Sequence, residues 1–231
     1  MPTVGDRGVF GIESVLTSLL RTAGRPLRVL ALGAHCDDVE IGCGGTLASA
    51  ARLTPRPEIS IVLFSSDDTR EREARASTKR LFGADAAVTV HRFRNGYFPH
   101  ESDQIKDRFE ELKAMLSPDL IFTHALHDRH QDHRVVGELT WNTFRNHLIL
   151  EMEIAKYEGD LGQPNTFFPL ERAMLDEKVQ TLLGCYPTQR SKTWFSEETF
   201  RALARLRGIE CNSPSGYAEA FHCRKLITSF Q

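Results

Sequence analysis

The chain has 231 residues, of which 41% are hydrophobic and 26% charged, and its formal net charge is −2. That composition supports an ordinary buried core and excludes a disordered chain. No block of lysine and arginine stands out, which argues against nucleic acid or an anionic membrane as main partner, and no apolar run is long enough to span a bilayer.

The N-terminal stretch MPTVGDRGVFGIES carries Asp6 and Glu13 and lacks the apolar centre of a signal peptide. Residues 1–12 read as a loose arm, and Glu13 to Thr22 as a first helix closed near Gly24 and Pro26. Strand one is expected over Arg28 to Ala34, a helix over Gly45 to Leu53 and strand two over Glu58 to Ser65. A charged amphipathic helix follows over Arg70 to Phe82, then strand three over Ala87 to Phe93 and a helix over Ile105 to Leu116. Asp119 to His124 reads as strand four, Val135 to His147 as a helix and Leu148 to Ile154 as strand five. Beyond residue 160 the pattern loosens into helices over Leu170 to Leu183 and Ser196 to Leu206, the second with Ser196 as N-cap and Gly208 as its stop.

Strands alternating with helices predict an α/β fold: a Rossmann-like, three-layer architecture around a mostly parallel sheet of about five strands. We read residues 1–231 as one domain, with 1–25 as arm and helix, and 155–231 as an extension covering the site on the substrate side. The five cysteines, odd in number and without a C-x-x-C pair, fit free thiols in a cytoplasmic setting.

Two polar clusters carry the chemistry. His35, Asp37, Asp38 and Glu40 crowd the tip of strand one, ahead of Gly42, Gly44 and Gly45. His127-Asp128-Arg129-His130-Gln131-Asp132-His133 follows strand four. Ligands in open α/β sheets bind at the carboxyl ends of strands, where these tips can converge. Mixed imidazole and carboxylate donors suit zinc, and iron(II) or cobalt also fits such a set. Other readings stay open at this point. The aspartates can be turn formers, and the glycines a phosphate-cradling turn of a non-catalytic nucleotide-binding module. A closed structural zinc site is disfavoured by its ligand types. His124 reads as a histidine hydrogen-bonded at a strand end, and His127 as an outer neighbour of the site.

His35-Cys36-Asp37-Asp38-Val39-Glu40 with Gly44-Gly45-Thr46 resembles the A-H-P-D-D-x-E and G-G-T signature of the PIG-L/LmbE-like zinc-dependent N-deacetylases, and His130 to Arg134 resembles their H-P-D-H-R motif. Pro118-Asp119, Asn95-Gly96, Tyr186 to Gln189, Arg207-Gly208 and Ala218 to Phe221 extend the likeness over about residues 28–223. Cys36 and Gln131 stand where the family has prolines. The resemblance implies that His35, Asp38 and His133 are the zinc ligands. It further implies Asp37 as general base, His130 as the histidine that stabilises the oxyanion or protonates the leaving amine, and Asp132 as the carboxylate that orients a histidine. The implied substrate is a small N-acetylated molecule, an N-acetylglucosamine-type sugar or conjugate; a non-sugar N-acyl intermediate of specialised metabolism is the alternative. A homo-oligomer is compatible with this reading. Arg72, Asn95, Tyr97 and Glu219 are the candidate substrate contacts. Tyr97, Phe98, His100 and Trp194 are further candidates for pocket walls.

Overall fold

The computed structural model describes residues 25–227, so the arm and the helix expected over Glu13 to Thr22 lie outside the described residues. The chain order is β1 (Arg28–Gly33), α1 (Asp38–Ala50), β2 (Glu58–Leu63), α2 (Asp68–Phe82), β3 (Ala87–Val90) and α3 (Ser102–Met115). There follow β4 (Leu120–His124), α4 (Gln131–Thr143), β5 (Leu148–Met152), β6 (Thr166–Pro169), α5 (Arg172–Cys185), α6 (Glu197–Glu210) and β7 (Ala218–His222).

The strands form one sheet in the order β3-β2-β1-β4-β5-β7-β6. The first five are parallel, and β7 and β6 add an antiparallel edge. Strands in the middle of such a sheet are covered on both faces, so they read as continuous apolar runs. In β1, Val29 and Ala31 enter one core layer with α1, α2, α5 and α6, while Leu30 and Leu32 enter the other with α3 and α4. This is the three-layer α/β architecture expected from the alternation. The sheet has seven strands rather than about five. Strands β6 and β7 are short and pair only with segments distant in sequence, Phe167 with Ala220 for example, so no local pattern announces them.

Helix ends also differ from expectation: α4 begins and ends four residues earlier than Val135 to His147, and two other ends bear on the packing. Helix α1 starts at Asp38, so the glycine-rich stretch lies inside it, interrupted at Cys43 where φ and ψ are −141° and 16°. Helix α6 runs through Gly208 to Glu210. Gly208 is there for close approach instead of termination, because a Cβ at this position would overlap the backbone of Gly216 and Tyr217.

The order of chain entry reverses between β1 and β4, whose neighbours β2 and β5 lie on opposite sides. A crevice opens at such a switch point, above the carboxyl ends of the strands. Both polar clusters are attached there. Among the described residues, no helix is long and apolar enough to cross a membrane.

Candidate metal centre

The first cluster is shaped by the turn from β1 into α1. Asp38 Oδ2 accepts the backbone N–H of His35 at 2.7 Å, which curls the loop and aims both side chains the same way. Tyr186 braces it from behind, its hydroxyl donating to the Cys36 carbonyl at 2.6 Å. The second cluster is shaped by the start of α4. His130 is the N-cap, its Nδ1 accepting the N–H of Asp132 at 3.3 Å, and Asp132 and His133 occupy the first turn.

The two clusters meet. His35 Nδ1 lies 3.2 Å from His133 Nε2 and 3.4 Å from Asp38 Oδ2, and His133 Nε2 lies 3.5 Å from Asp38 Oδ2. Donors about 2.0–2.2 Å from a tetrahedral ion are separated by roughly 3.3–3.6 Å, so this triangle fits zinc. The same three residues were the ligands implied by the sequence resemblance. Two further groupings overlap it: His35 with His130 and His133, and Asp38 with His124 and His133. His124 Nε2 accepts the Ala34 N–H at 2.9 Å, so its lone pair is engaged. It is the strand-end histidine expected, and it also lies 3.1 Å from Asp38 Oδ2.

Each histidine of the triangle has a carboxylate behind it, which fixes its ring orientation. Asp132 Oδ2 lies 3.1 Å from His35 Nε2, leaving Nδ1 for the centre. Asp128, which the sequence reading left without a role, takes the Nδ1–H of His133 at 2.8 Å and leaves Nε2 for the centre. Asp128 was visible as the first of the two acids of the HDRHQDH run, but only the fold shows which histidine it serves.

Charges follow from these contacts. Burial alone would lower the His35 pKa, yet Asp38, Asp132 and Asp37 together raise it to about 10. Burial and the adjacent His124 push His133 down to about 3, against the pull of Asp38 and Asp128, so it presents a neutral ring. The three histidines hold the Asp38 carboxyl well below its usual range despite burial. Burial and then His35 lower His130.

The centre opens into a cavity of about 590 Å³. His35, Asp37, Asp38, His130 and His133 form its polar floor, Arg92 to Asn95 one wall, and Lys156 to Glu158 with Gln189, Lys192 and Trp194 the others. Asn95 is among the residues that line the cavity. Gly96, at φ 81°, turns the backbone so that its N–H meets Asp132 Oδ2 at 2.6 Å.

Three expected substrate contacts are not in the cavity. Arg72 is exposed and bonds Thr69, while Arg70 lines the cavity and donates to Asp37 Oδ1 at 2.7 Å. Positions 70 and 72 are about 200° apart around a helix, so only one of them can face the site. Tyr97 faces outward under the Arg94 guanidinium, 3.5 Å from its ring centroid. Glu219 is behind the site. Its carboxylate accepts the N–H groups of Gly45 and Thr46 at 2.8 and 2.7 Å and pairs with Lys178 at 2.6 Å. Those are the amides a phosphate-cradling turn would use, so the nucleotide reading of the glycines has no free amides to stand on. Of the other wall candidates, Trp194 lines the cavity, while Phe98 is buried in the core beneath it, its ring near those of His35 and Phe93 and its N–H donating to Asp132. His127 is exposed and packs edge-on against His222, 4.7 Å between centroids. The Cys36 thiol donates toward Ser66 Oγ at 3.2 Å, and burial pushes it up to about 11, which keeps it a neutral thiol.

Known proteins share part of this sequence and the whole of this fold. The chain is 28% identical over 135 residues, 54% of its own length and 72% of the relative's, to the uncharacterized deacetylase YaiS of Escherichia coli K12. Its fold is shared with GalB, the 4-carboxy-2-hydroxymuconate hydratase of Pseudomonas putida KT2440. That superposition has a TM-score of 0.69 at 17% identity, covering 89% of this chain and 99% of that one. It is shared equally with the N,N'-diacetylchitobiose deacetylase of Pyrococcus horikoshii, with a TM-score of 0.67 at 19% identity over 97% and 98% of the two chains. A fold that hosts both a hydratase and a deacetylase leaves the reaction to the site. Residues 30–144, which carry both histidine–aspartate clusters, match the family described as PIG-L: GlcNAc-PI de-N-acetylase, and the chain belongs to the PIG-L family.

Proposed function

We propose that the protein is a zinc-dependent hydrolase that removes an acetyl group from an N-acetylated amine, an N-acetylglucosamine-type sugar or conjugate. The observation that carries this reading is the triangle of His35 Nδ1, Asp38 Oδ2 and His133 Nε2, at the floor of an open cavity with Asp37 beside it. Those three atoms would hold the ion, which supplies Lewis acidity and brings the pKa of a bound water to about 7.

The rest of the chemistry belongs to the chain. Asp37 is the carboxylate free to take the proton of the attacking water, and Arg70 holds it in place. His130 uses Nδ1 as an acceptor, so its ring N–H is on Nε2, from which it can hydrogen-bond to the acyl oxygen, and the departing nitrogen takes the proton that Asp37 received from the water. Asp132 and Asp128 hold His35 and His133 in their working orientations. Asn95 and Trp194 line the cavity walls, which supports a role for them in receiving the remainder of the substrate; the products would be acetate and a free amine. Five cysteines left as free thiols support a reducing, cytoplasmic setting for this activity.

The test is acetate release from a panel of N-acetylated sugars, together with metal content. Wild type is expected to hold about one zinc per chain and release acetate. Asp37→Asn should keep the metal and lose turnover by at least about 100-fold, and His133→Ala should lose the metal. Near-normal turnover in Asp37→Asn would remove it as base. Zinc retained without acetate release from any N-acetyl compound would move the protein toward another reaction of this fold.

A further inference from the structure

A buried chain of charges runs outward from His133. Asp128 Oδ2, which takes the His133 Nδ1–H at 2.8 Å, also meets Lys156 Nζ at 3.0 Å. Lys156 Nζ in turn reaches both oxygens of Asp160, at 2.8 and 2.7 Å. The side chains of His133, Asp128, Lys156 and Asp160 are only 3%, 4%, 7% and 5% exposed. Lysine is almost never buried without partners, since removing an ammonium from water is costly. Here the carboxylates of Asp128 and Asp160 saturate it. Lys156 borders the cavity, yet its ammonium is engaged by protein oxygens: it donates to both Asp160 oxygens and, at 3.4 Å, to the Ile154 carbonyl, and it pairs with Asp128.

The segment bearing Lys156 is pinned at both ends. Arg207 grips Glu153 at 2.6 and 2.8 Å and the Gly162 carbonyl at 3.1 Å. Between these points the backbone turns at Gly159, with φ 59°. Asp160 Oδ2 accepts the N–H of Arg129 at 2.6 Å, which ties the segment to the loop that carries Asp128. The position of Lys156 is thus set from outside the site and transmitted inward.

We propose that Lys156, held by Asp160, is a positioning residue for His133: it locks the Asp128 carboxylate in the orientation that accepts the Nδ1–H, and so presents Nε2 to His35 and Asp38. The inference rests on the metal-site reading above. Asp128 Oδ1 is anchored by the His130 N–H at 2.8 Å, so Lys156 acts on the other oxygen, Oδ2, and without it that oxygen is free to swing about the anchor. His133 then loses its fixed orientation. Changes to residues that orient metal ligands weaken metal binding about 10–100-fold.

The experiment is zinc competition against a chelator, starting from the zinc-loaded protein. It compares wild type, Lys156→Met, Asp128→Asn, the double variant and Asp160→Asn, each checked for folding by circular dichroism. Lys156→Met is expected to bind zinc about 10–100-fold more weakly. The double variant should bind no more weakly than Asp128→Asn alone, because the two residues act in series. Lys156→Met that is merely less stable but binds zinc as tightly as wild type overturns the proposal, as does a double variant whose loss is the product of the single losses. Should Lys156→Met not fold, Asp160→Asn decides the matter: weaker zinc binding supports the proposal and unchanged binding overturns it. A wild type that binds no zinc would instead sink the metal-site reading itself.

Discussion

Asp132 shows how much one side chain can carry. Its Oδ2 takes the Gly96 N–H at 2.6 Å and faces His35 Nε2, while Oδ1 takes the Phe98 N–H at 3.2 Å. A carboxylate accepts at both ends and an amide at only one. Asp132→Asn therefore turns an NH2 toward one of these donors and unseats either His35 or the loop at residues 96–98. We expect zinc affinity to fall about 10–100-fold, measured by chelator competition, with the global fold retained. Unchanged affinity would show that His35 needs no carboxylate behind it. The site residues were legible in the sequence because imidazoles and carboxylates crowd two short runs, His35 to Glu40 and His127 to His133. Which of two arginines faces inward was not legible, since Arg70 and Arg72 carry the same charge and differ only in helical phase.

Among the elements, α1 has the most demanding job. It must begin at Asp38, a proposed metal ligand, and still pack against β5 and α5. It breaks at Cys43, and the break is repaired by a buried ion pair. Lys178 donates to the Ile41 carbonyl at 2.7 Å before the break, and Glu219 takes the amides of Gly45 and Thr46 after it. Removing one partner of a buried pair costs about 3–5 kcal/mol. Glu219→Gln should lower the urea midpoint accordingly and leave KM for the acetylated substrate unchanged; a raised KM in a stable variant would return Glu219 to the substrate site. At the opposite end of the sheet, Asp119 ties β4 to β1. It accepts the Arg28 N–H at 2.9 Å and two bonds from Arg25 at 2.6 and 2.7 Å. The Arg25 guanidinium is the main cause of an Asp119 pKa near 2; partial burial opposes it and the Arg28 amide assists. A carboxyl depressed on folding stabilises above its unfolded pKa of about 4, and that contribution fades as pH falls through about 2. Arg25 is 43% exposed, so solvent screening limits the gain to under about 1 kcal/mol. Asp119→Asn should lower the melting temperature by up to about 4 °C at pH 7 and match wild type near pH 2. An equal deficit at both pH values would mean that the loss is not electrostatic.

For the whole molecule, the proposed metal ligands join segments almost one hundred residues apart, His35 and Asp38 from the turn between β1 and α1 and His133 from the start of α4. An ion bound only when those segments meet stabilises the native state by mass action. The gain is about 2.7 kcal/mol at a free concentration one hundred times the Kd. Stripping zinc with a chelator should lower the melting temperature of wild type, and restoring it should reverse the loss. His133→Ala should show no such response, and an equal response in that variant would place the stabilising ion elsewhere.

The sequence alone determined the alternation of strands and helices, the parallel half of the sheet and the two clusters of ligand chemistry. Each of these is local: apolar runs covered on both faces, helical periodicity, and ionisable residues concentrated at strand tips. Only the tertiary structure decided the antiparallel edge of β7 and β6, the service of Asp128 to His133, the place of Arg70 at the cavity and the retreat of Glu219 behind α1. Those depend on pairings across the fold, such as Phe167 with Ala220 and Gly45 with Glu219. A contact between residues distant in the chain leaves no periodic trace in either of them, because nothing in the local pattern of one records which partner the fold will bring to it.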